Sequence, residues 1–216
     1  MEKKIAAIFL AHINPLTISH ESIIRNLLQS YSVYIYPVRF LKEGMEVNTR
    51  SFPFSYEIRK RMILESFNYH ENIHVLGDYA FLSPYIQYFP PFLSRAFKRL
   101  KNNIILNIQE NSFITYTGDR AERVLLSLFG FNPVKANRQV VSSTNVKNLL
   151  YKSVLSTENF YQNEGSKNND LKWHEYVSPK VGQVIKDNWE TIKNFSITKD
   201  ETIRVMGMKF PKNGFI

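Results

Sequence analysis

The chain contains no cysteine. That excludes a disulfide framework, thiolate metal sites and a cysteine nucleophile, and it fits a reducing compartment. No run reaches about 18 uninterrupted apolar residues, so no transmembrane helix is expected. Two lysines ahead of an apolar stretch faintly imitate a signal peptide. His12, Asn14 and Pro15 interrupt that stretch, and no small-residue cleavage site follows. A cytoplasmic location is the expectation. No block of five or six basic residues occurs either, although the formal net charge is +9. The densest stretch, 95–101, mixes basic and apolar positions. The charge favours anionic ligands such as nucleotides, polyphosphates, nucleic acids or acidic lipid, and bland surface charge accounts for it equally well. Nucleic acid is not the favoured partner, and no membrane partner is expected.

What is present is enough for a packed domain. The 216 residues are 44% apolar, with 16 Phe and 12 Tyr, so disorder is not expected over most of the length. Residues 4–11 read as a short buried strand. Residues 19–30 read as a helix with Ile23, Ile24, Leu27 and Leu28 on one face. Residues 32–38 read as a second strand, which makes a βαβ unit with parallel pairing. Residues 41–53 read as a polar loop, 55–67 as a helix capped by Ser55, and 73–76 as a strand. Residues 81–100 read as helical pieces broken at Pro90-Pro91. A strand is expected at 113–117, a helix at 121–129, a short edge strand at 133–136, and helices at 144–152 and 179–195. The pattern predicts an α/β fold, Rossmann-like and doubly wound, with a mostly parallel sheet and helices on both faces. Residues 1–156 would form the core and 157–170 a flexible loop. Residues 171–216 would complete the same domain, their last part (196–216) as a loosely attached tail.

Two segments carry the chemistry. The first is Asn14-Pro15-Leu16-Thr17-Ile18-Ser19-His20, directly after the first strand. In an open α/β sheet, ligands sit beyond the carboxyl ends of the strands. The helix opening there offers unpaired N–H groups and a positive dipole end to a phosphate. Thr17, Ser19 and His20 add polar donors, and a histidine donates when neutral and adds charge when protonated. A lone histidine at such a place is otherwise an ordinary capping or surface residue. The second segment, Val141-Ser142-Ser143-Thr144-Asn145-Val146-Lys147, lies about 120 residues further on. By itself a Ser-Ser-Thr before a helix is a cap.

Together the two segments resemble the signatures of the nucleotidyltransferase superfamily that includes nicotinamide-nucleotide adenylyltransferases and cytidylyltransferases. There the first segment ends in His-x-Gly-His or Thr-x-Gly-His, and the second reads Ile-Ser-x-Thr-x-x-Arg. Ser19 stands at the usual glycine and Lys147 at the usual arginine. Lysine keeps the charge and loses the bidentate fork. Further stretches are similar to the archaeal-type nicotinamide-mononucleotide adenylyltransferases: the run from Phe52 to Arg59, Tyr116-Thr117-Gly118-Asp119, and Trp173 with Val177 and Pro179. Leu82 and Tyr85 fall where that subgroup has an Asn and a stacking Trp. Tyr85 is either a stacking platform or plain aromatic core.

The resemblance implies transfer of AMP from ATP to a phosphate-bearing acceptor with release of pyrophosphate, nicotinamide mononucleotide being the first candidate. His20 and Lys147 would be catalytic. His12, Asn14, Thr17, Ser19, His20, Gly118, Asp119, Ser142, Ser143, Thr144 and Lys147 would bind the nucleotide, and Arg59 and Tyr85 the acceptor. It also implies a magnesium ion with the ATP. No dedicated carboxylate cluster is evident, so the nucleotide would supply many of the ligands. A homo-oligomer is a further implication. Two other readings stay open: a cytidylyltransferase acting on a sugar or alcohol phosphate, and a catalytically weakened nucleotide- or RNA-binding protein.

Overall fold

The computed structural model describes residues 5–117, 123, 126–127, 131, 133–135, 141–160 and 172–215. Its frame is a five-stranded sheet of β1 (Ala6–Ala11), β2 (Ser32–Pro37), β5 (Ile73–Val75), β7 (Phe113–Thr117) and β8 (Pro133–Lys135). The order is β5-β2-β1-β7-β8 and every pairing is parallel. The chain moves outward from β1 to β2 and β5, then returns to the other side of β1. The order therefore reverses beside β1, and the cleft beyond its carboxyl end is where such sheets bind ligands.

β1 is apolar throughout because both of its faces are covered. Ala7 and Phe9 enter one core, while Ala6, Ile8 and Leu10 enter the other. On the first face pack α1 (Ile18–Leu28), α2 (Tyr56–Ser66), α4 (Ser143–Phe160), α5 (Pro179–Asp187) and α6 (Trp189–Ser196). The second face is covered by α3 (Arg95–Leu106) and an aromatic cluster of Phe40, Phe81, Tyr85 and Phe210. The expected fold class is the one found, with helices on both faces of a parallel sheet. No helix among the described residues is long and apolar enough to cross a membrane.

Several expected elements differ. The polar loop at 41–53 contains the second half of β3 (Arg39–Lys42) and all of β4 (Met45–Glu46), which join β6 (Ala80–Leu82) in a second sheet. Glu43 and Gly44 turn that hairpin with φ of 53° and 80°, the left-handed pair that a tight two-residue turn requires. Ser55 precedes α2 but makes no side-chain cap bond. The Glu46 carboxylate takes the Tyr56 N–H instead, at 2.7 Å. The late helix is two helices, because the Asn188 side chain donates to the Val184 carbonyl at 2.8 Å and closes the first one. α4 runs on to Phe160, beyond the expected start of the loop at 157. The helix expected at 121–129 lies largely outside the described residues.

The largest correction concerns the tail. Residues 196–216 are not loosely attached over the part described. β9 (Thr202–Val205) and β10 (Met208–Pro211) pair as a hairpin turned at Met206-Gly207, and Phe210 is fully buried. The Arg50 guanidinium donates to the carbonyls of Phe195, Ser196 and Thr198 and lies over the Tyr151 ring. It thereby satisfies carbonyls that the end of α6 leaves free.

Candidate active site

The loop after β1 is held in an unusual shape. Ile13 is buried and has φ of 44°, a left-handed conformation that a β-branched side chain disfavours. Such a residue costs on the order of 1–3 kcal/mol and persists where its surroundings over-determine it. Here three groups do so. The Asn14 side chain brackets Phe54, donating to its carbonyl at 2.9 Å and accepting its N–H at 3.2 Å. Arg59 donates to the carbonyls of His12 (2.9 Å) and Val38 (2.8 Å). The Lys147 ammonium donates to the Asn14 carbonyl at 2.9 Å.

The next turn sets the state of His20. Thr17 is the N-cap of α1, and its hydroxyl accepts the His20 N–H at 3.4 Å. In return His20 Nδ1 accepts the Thr17 N–H at 3.2 Å and lies 3.0 Å from its hydroxyl. This is a capping box with histidine in the place of the usual Glu or Gln. An Nδ1 that accepts must be unprotonated, so the neutral ring carries its proton on Nε2. Burial, and then the nearby Lys147 charge, lower the His20 pKa to about 4. His20 is thus a neutral N–H donor at the mouth of a helix N-terminus. Ser19 is buried one residue before it.

The second motif opens α4 beside the first. Ser142 caps the helix, its hydroxyl accepting the Asn145 N–H at 3.2 Å. Ser143 donates to the Pro15 carbonyl at 2.9 Å, and Thr144 is exposed. With the Lys147–Asn14 bond, two contacts thus fasten motifs that are distant in the chain. Two helix N-termini converge on one place, and both favour anions.

Positive charge collects there. Lys147 is buried; burial first, then Lys209 and Arg59, hold its pKa at about 7 against the partial offset of Asp200. His12 is held at about 3 by burial and by Lys147, Arg59 and Lys209, in that order. Its ring stacks on Phe52 at 4.8 Å, and its Nδ1 is buried with no partner among the described residues.

Other expected site residues lie differently. Asn14 keeps its side chain on Phe54. Arg59 is buried, and its guanidinium meets Ser55, His12, Val38 and the Glu46 carboxylate (2.7 Å). These contacts engage four of its five N–H donors. Tyr85 is fully buried in the aromatic cluster, whereas Leu82 is half exposed. A Cβ at Gly214 would collide with the Tyr85 ring, so the end of the chain lies directly on that ring. Tyr85 is core, with no face open to a ligand. Gly118 and Asp119 lie outside the described residues. Lys209, Asp200 and Ser51 were not among the expected site residues. Lys209 and Asp200 belong to the stretch read as a loose tail, and nothing in the local sequence of Ser51 marks it.

No family model and no curated protein sequence matches the chain. Among solved structures, a Vibrio parahaemolyticus protein assigned as a nicotinate-nucleotide adenylyltransferase superposes with a TM-score of 0.52 at 14% identity, over 88% of this chain and 96% of that one. This likeness is one of fold. The Plasmodium falciparum nicotinic acid mononucleotide adenylyltransferase, complexed with NaAD, superposes with a TM-score of 0.46 at 12% identity, over 87% and 98% of the two chains.

Proposed function

We propose that this chain transfers AMP from ATP to a phosphate-bearing acceptor, a pyridine mononucleotide such as nicotinamide mononucleotide, with release of pyrophosphate. The observation that carries the reading is the convergence of the α1 and α4 N-termini, with His20 and Lys147, beyond the carboxyl end of β1. The fold shared with the Vibrio protein supports it, as does that protein's assignment to a pyridine nucleotide.

An acceptor phosphate oxygen attacks the α-phosphorus of ATP. A new P–O bond forms, the bond from the α-phosphorus to the bridging oxygen breaks, and pyrophosphate leaves with the electron pair. The acceptor phosphate is largely ionised at neutral pH, its second pKa being about 6, so no general base is needed. The protein's part is alignment and charge stabilisation. His20 Nε2–H donates to a phosphate oxygen without adding net charge. The helix N-termini and Lys147 face the charge that grows on the leaving pyrophosphate.

Magnesium is proposed to arrive with the ATP. Among the described residues no cluster of His, Asp or Glu could hold a metal ion. The fit to a resident ion is therefore poor, and the ion would rest on nucleotide oxygens and water. The test is pyrophosphate release with ATP and CTP against nicotinamide mononucleotide, nicotinate mononucleotide and a sugar phosphate. Turnover with ATP and a pyridine nucleotide is expected. Turnover with CTP and the sugar phosphate alone would overturn the donor and the acceptor, and nucleotide binding without turnover would overturn the catalytic reading.

A further inference from the structure

We infer that Lys209, delivered by the C-terminal hairpin, is a phosphate ligand of this site, and that Asp200 and Ser51 hold it in place. The nucleotidyl-transfer reading says whose phosphate it meets; the phosphate chemistry does not depend on that reading.

Alternation along β10 buries Phe210 and leaves Lys209 on the other side of the strand. The Lys209 ammonium lies 2.8 Å from the Ser51 hydroxyl oxygen and 3.4 Å from an Asp200 carboxylate oxygen. Asp200 in turn accepts the Ser51 N–H (3.1 Å) and hydroxyl (2.7 Å), and the Thr202 hydroxyl (3.1 Å). This latch joins the hairpin to the loop whose next residue, Phe52, stacks on His12. The hairpin base is fixed independently by the Lys212 N–H to the Glu201 carbonyl at 2.9 Å.

The position has a consequence for charge. Lys209 is close enough to lower the pKa of both His12 and Lys147. Among the described residues, Asp200 is the carboxylate that acts on both of these lysines, while Glu46 is paired with Arg59. Crowding like charges is unfavourable unless an anion joins them. An ammonium has three N–H donors, and Lys209 uses two on Ser51 and Asp200. The third has no partner among the described residues. The ligand that fits is a phosphate oxygen, from the nucleotide's triphosphate or from the acceptor's phosphomonoester.

The experiment is titration calorimetry of the full chain with tripolyphosphate, with a non-hydrolysable ATP analogue, with nicotinamide mononucleotide and with adenosine. The variants are Lys209→Met, Lys209→Arg and Lys212→Ala, the last removing the same charge from the same hairpin. Lys209→Met should weaken tripolyphosphate binding by about ten- to a hundredfold. Lys209→Arg should retain most of the affinity, Lys212→Ala should bind as the unaltered chain does, and adenosine binding should not change. Loss for the ATP analogue alone assigns Lys209 to the triphosphate; loss for the mononucleotide alone assigns it to the acceptor. In the unaltered chain, tripolyphosphate should also protect Lys209 from acetylation by acetic anhydride, which needs no variant. The inference is overturned by unchanged affinity of Lys209→Met for tripolyphosphate, the ATP analogue and nicotinamide mononucleotide, by equal loss in Lys212→Ala, or by absence of protection from tripolyphosphate and nicotinamide mononucleotide alike. Tripolyphosphate binding that depends on Lys209, with no pyrophosphate release from any nucleotide, would remove the transferase reading and keep the ligand.

Discussion

The Lys147 ammonium lies 2.9 Å from the backbone carbonyl of Asn14, so a side chain of the second motif is fastened to the backbone of the first. Burial and the charges of Lys209 and Arg59 bring its pKa down to about 7. Near neutral pH part of the free protein therefore holds Lys147 uncharged. A bound triphosphate favours the charged form, so binding above pH 7 must take up a proton. Affinity for the ATP analogue should fall as pH rises from about 7 toward 10, by at most about tenfold per unit. Calorimetry in two buffers of different ionisation enthalpy measures the uptake. Lys147→Arg should abolish it, because arginine stays protonated. PH-independent affinity in the unaltered chain would show that Lys147 does not meet the phosphates. Stability carries the opposite sign: between about 7 and 10.5 the unfolded chain binds more protons at this group, so its contribution to stability rises with pH.

His20 combines a cap and a donor, and substitutions should separate them. His20→Ala loses both: about 0.5–2 kcal/mol of stability from the cap and on the order of 100- to 1000-fold in rate from the missing donor. His20→Glu restores the usual capping box but puts a carboxylate against the phosphates. It should melt near the unaltered chain and be inactive. With a pKa of about 4, His20 stays neutral across the working range. The acid fall in activity should then come near pH 6, from protonation of the acceptor phosphate. Near-normal turnover in His20→Glu would reduce the residue to a cap.

The βαβ start was legible because its signal is local. A short apolar run, a polar turn and a one-sided helix need no distant partner to be recognised, and β1, α1 and β2 lie there. Long-range partners were not legible. Asp200 and Ser51 are far apart in sequence, and one aromatic residue, Phe210, is the main sign that the tail is anchored. Arg59 and Asn14 were read for the ligands that resemblance gives them. The Asn14 partner Phe54 and the Arg59 counter-charge Glu46 both lie in the loop at 46–54, which no local pattern describes.

Glu46 and Arg59 form a mostly buried pair at 2.7 Å, their side chains 15% and 3% exposed. Glu46→Ala leaves the guanidinium without its counter-charge and frees the Tyr56 N–H at the start of α2. Removing one partner of a buried pair costs about 3–5 kcal/mol. Chemical denaturation should show a loss of that order. A change below about 1 kcal/mol would mean that the pair is solvated and that Arg59 is free to meet an acceptor.

Tyr85 separates a packing role from a binding role. Its ring meets Phe40 at 5.6 Å, Phe215 at 5.7 Å and Phe210 at 6.0 Å. Its hydroxyl is buried without a partner among the described residues, and burial raises its pKa to about 12. An unpaired buried polar group costs about 1–3 kcal/mol. Tyr85→Phe, which removes only the hydroxyl, should therefore hold or raise the melting temperature and leave the acceptor KM unchanged. Tyr85→Ala opens a cavity in the aromatic cluster and should cost about 3–5 kcal/mol. Phe40 stands between Tyr85 and the His12 ring, 6.2 Å from the latter. The cavity should thus lower kcat and stability together, with no selective rise in one KM. A stacking platform would behave in the opposite way. Tyr85→Ala would then raise the acceptor KM, leave the nucleotide KM alone and change stability little. Steady-state kinetics beside a melting curve distinguishes the two, and a selective acceptor effect would require the end of the chain at Gly214 to lift off the ring before the acceptor binds.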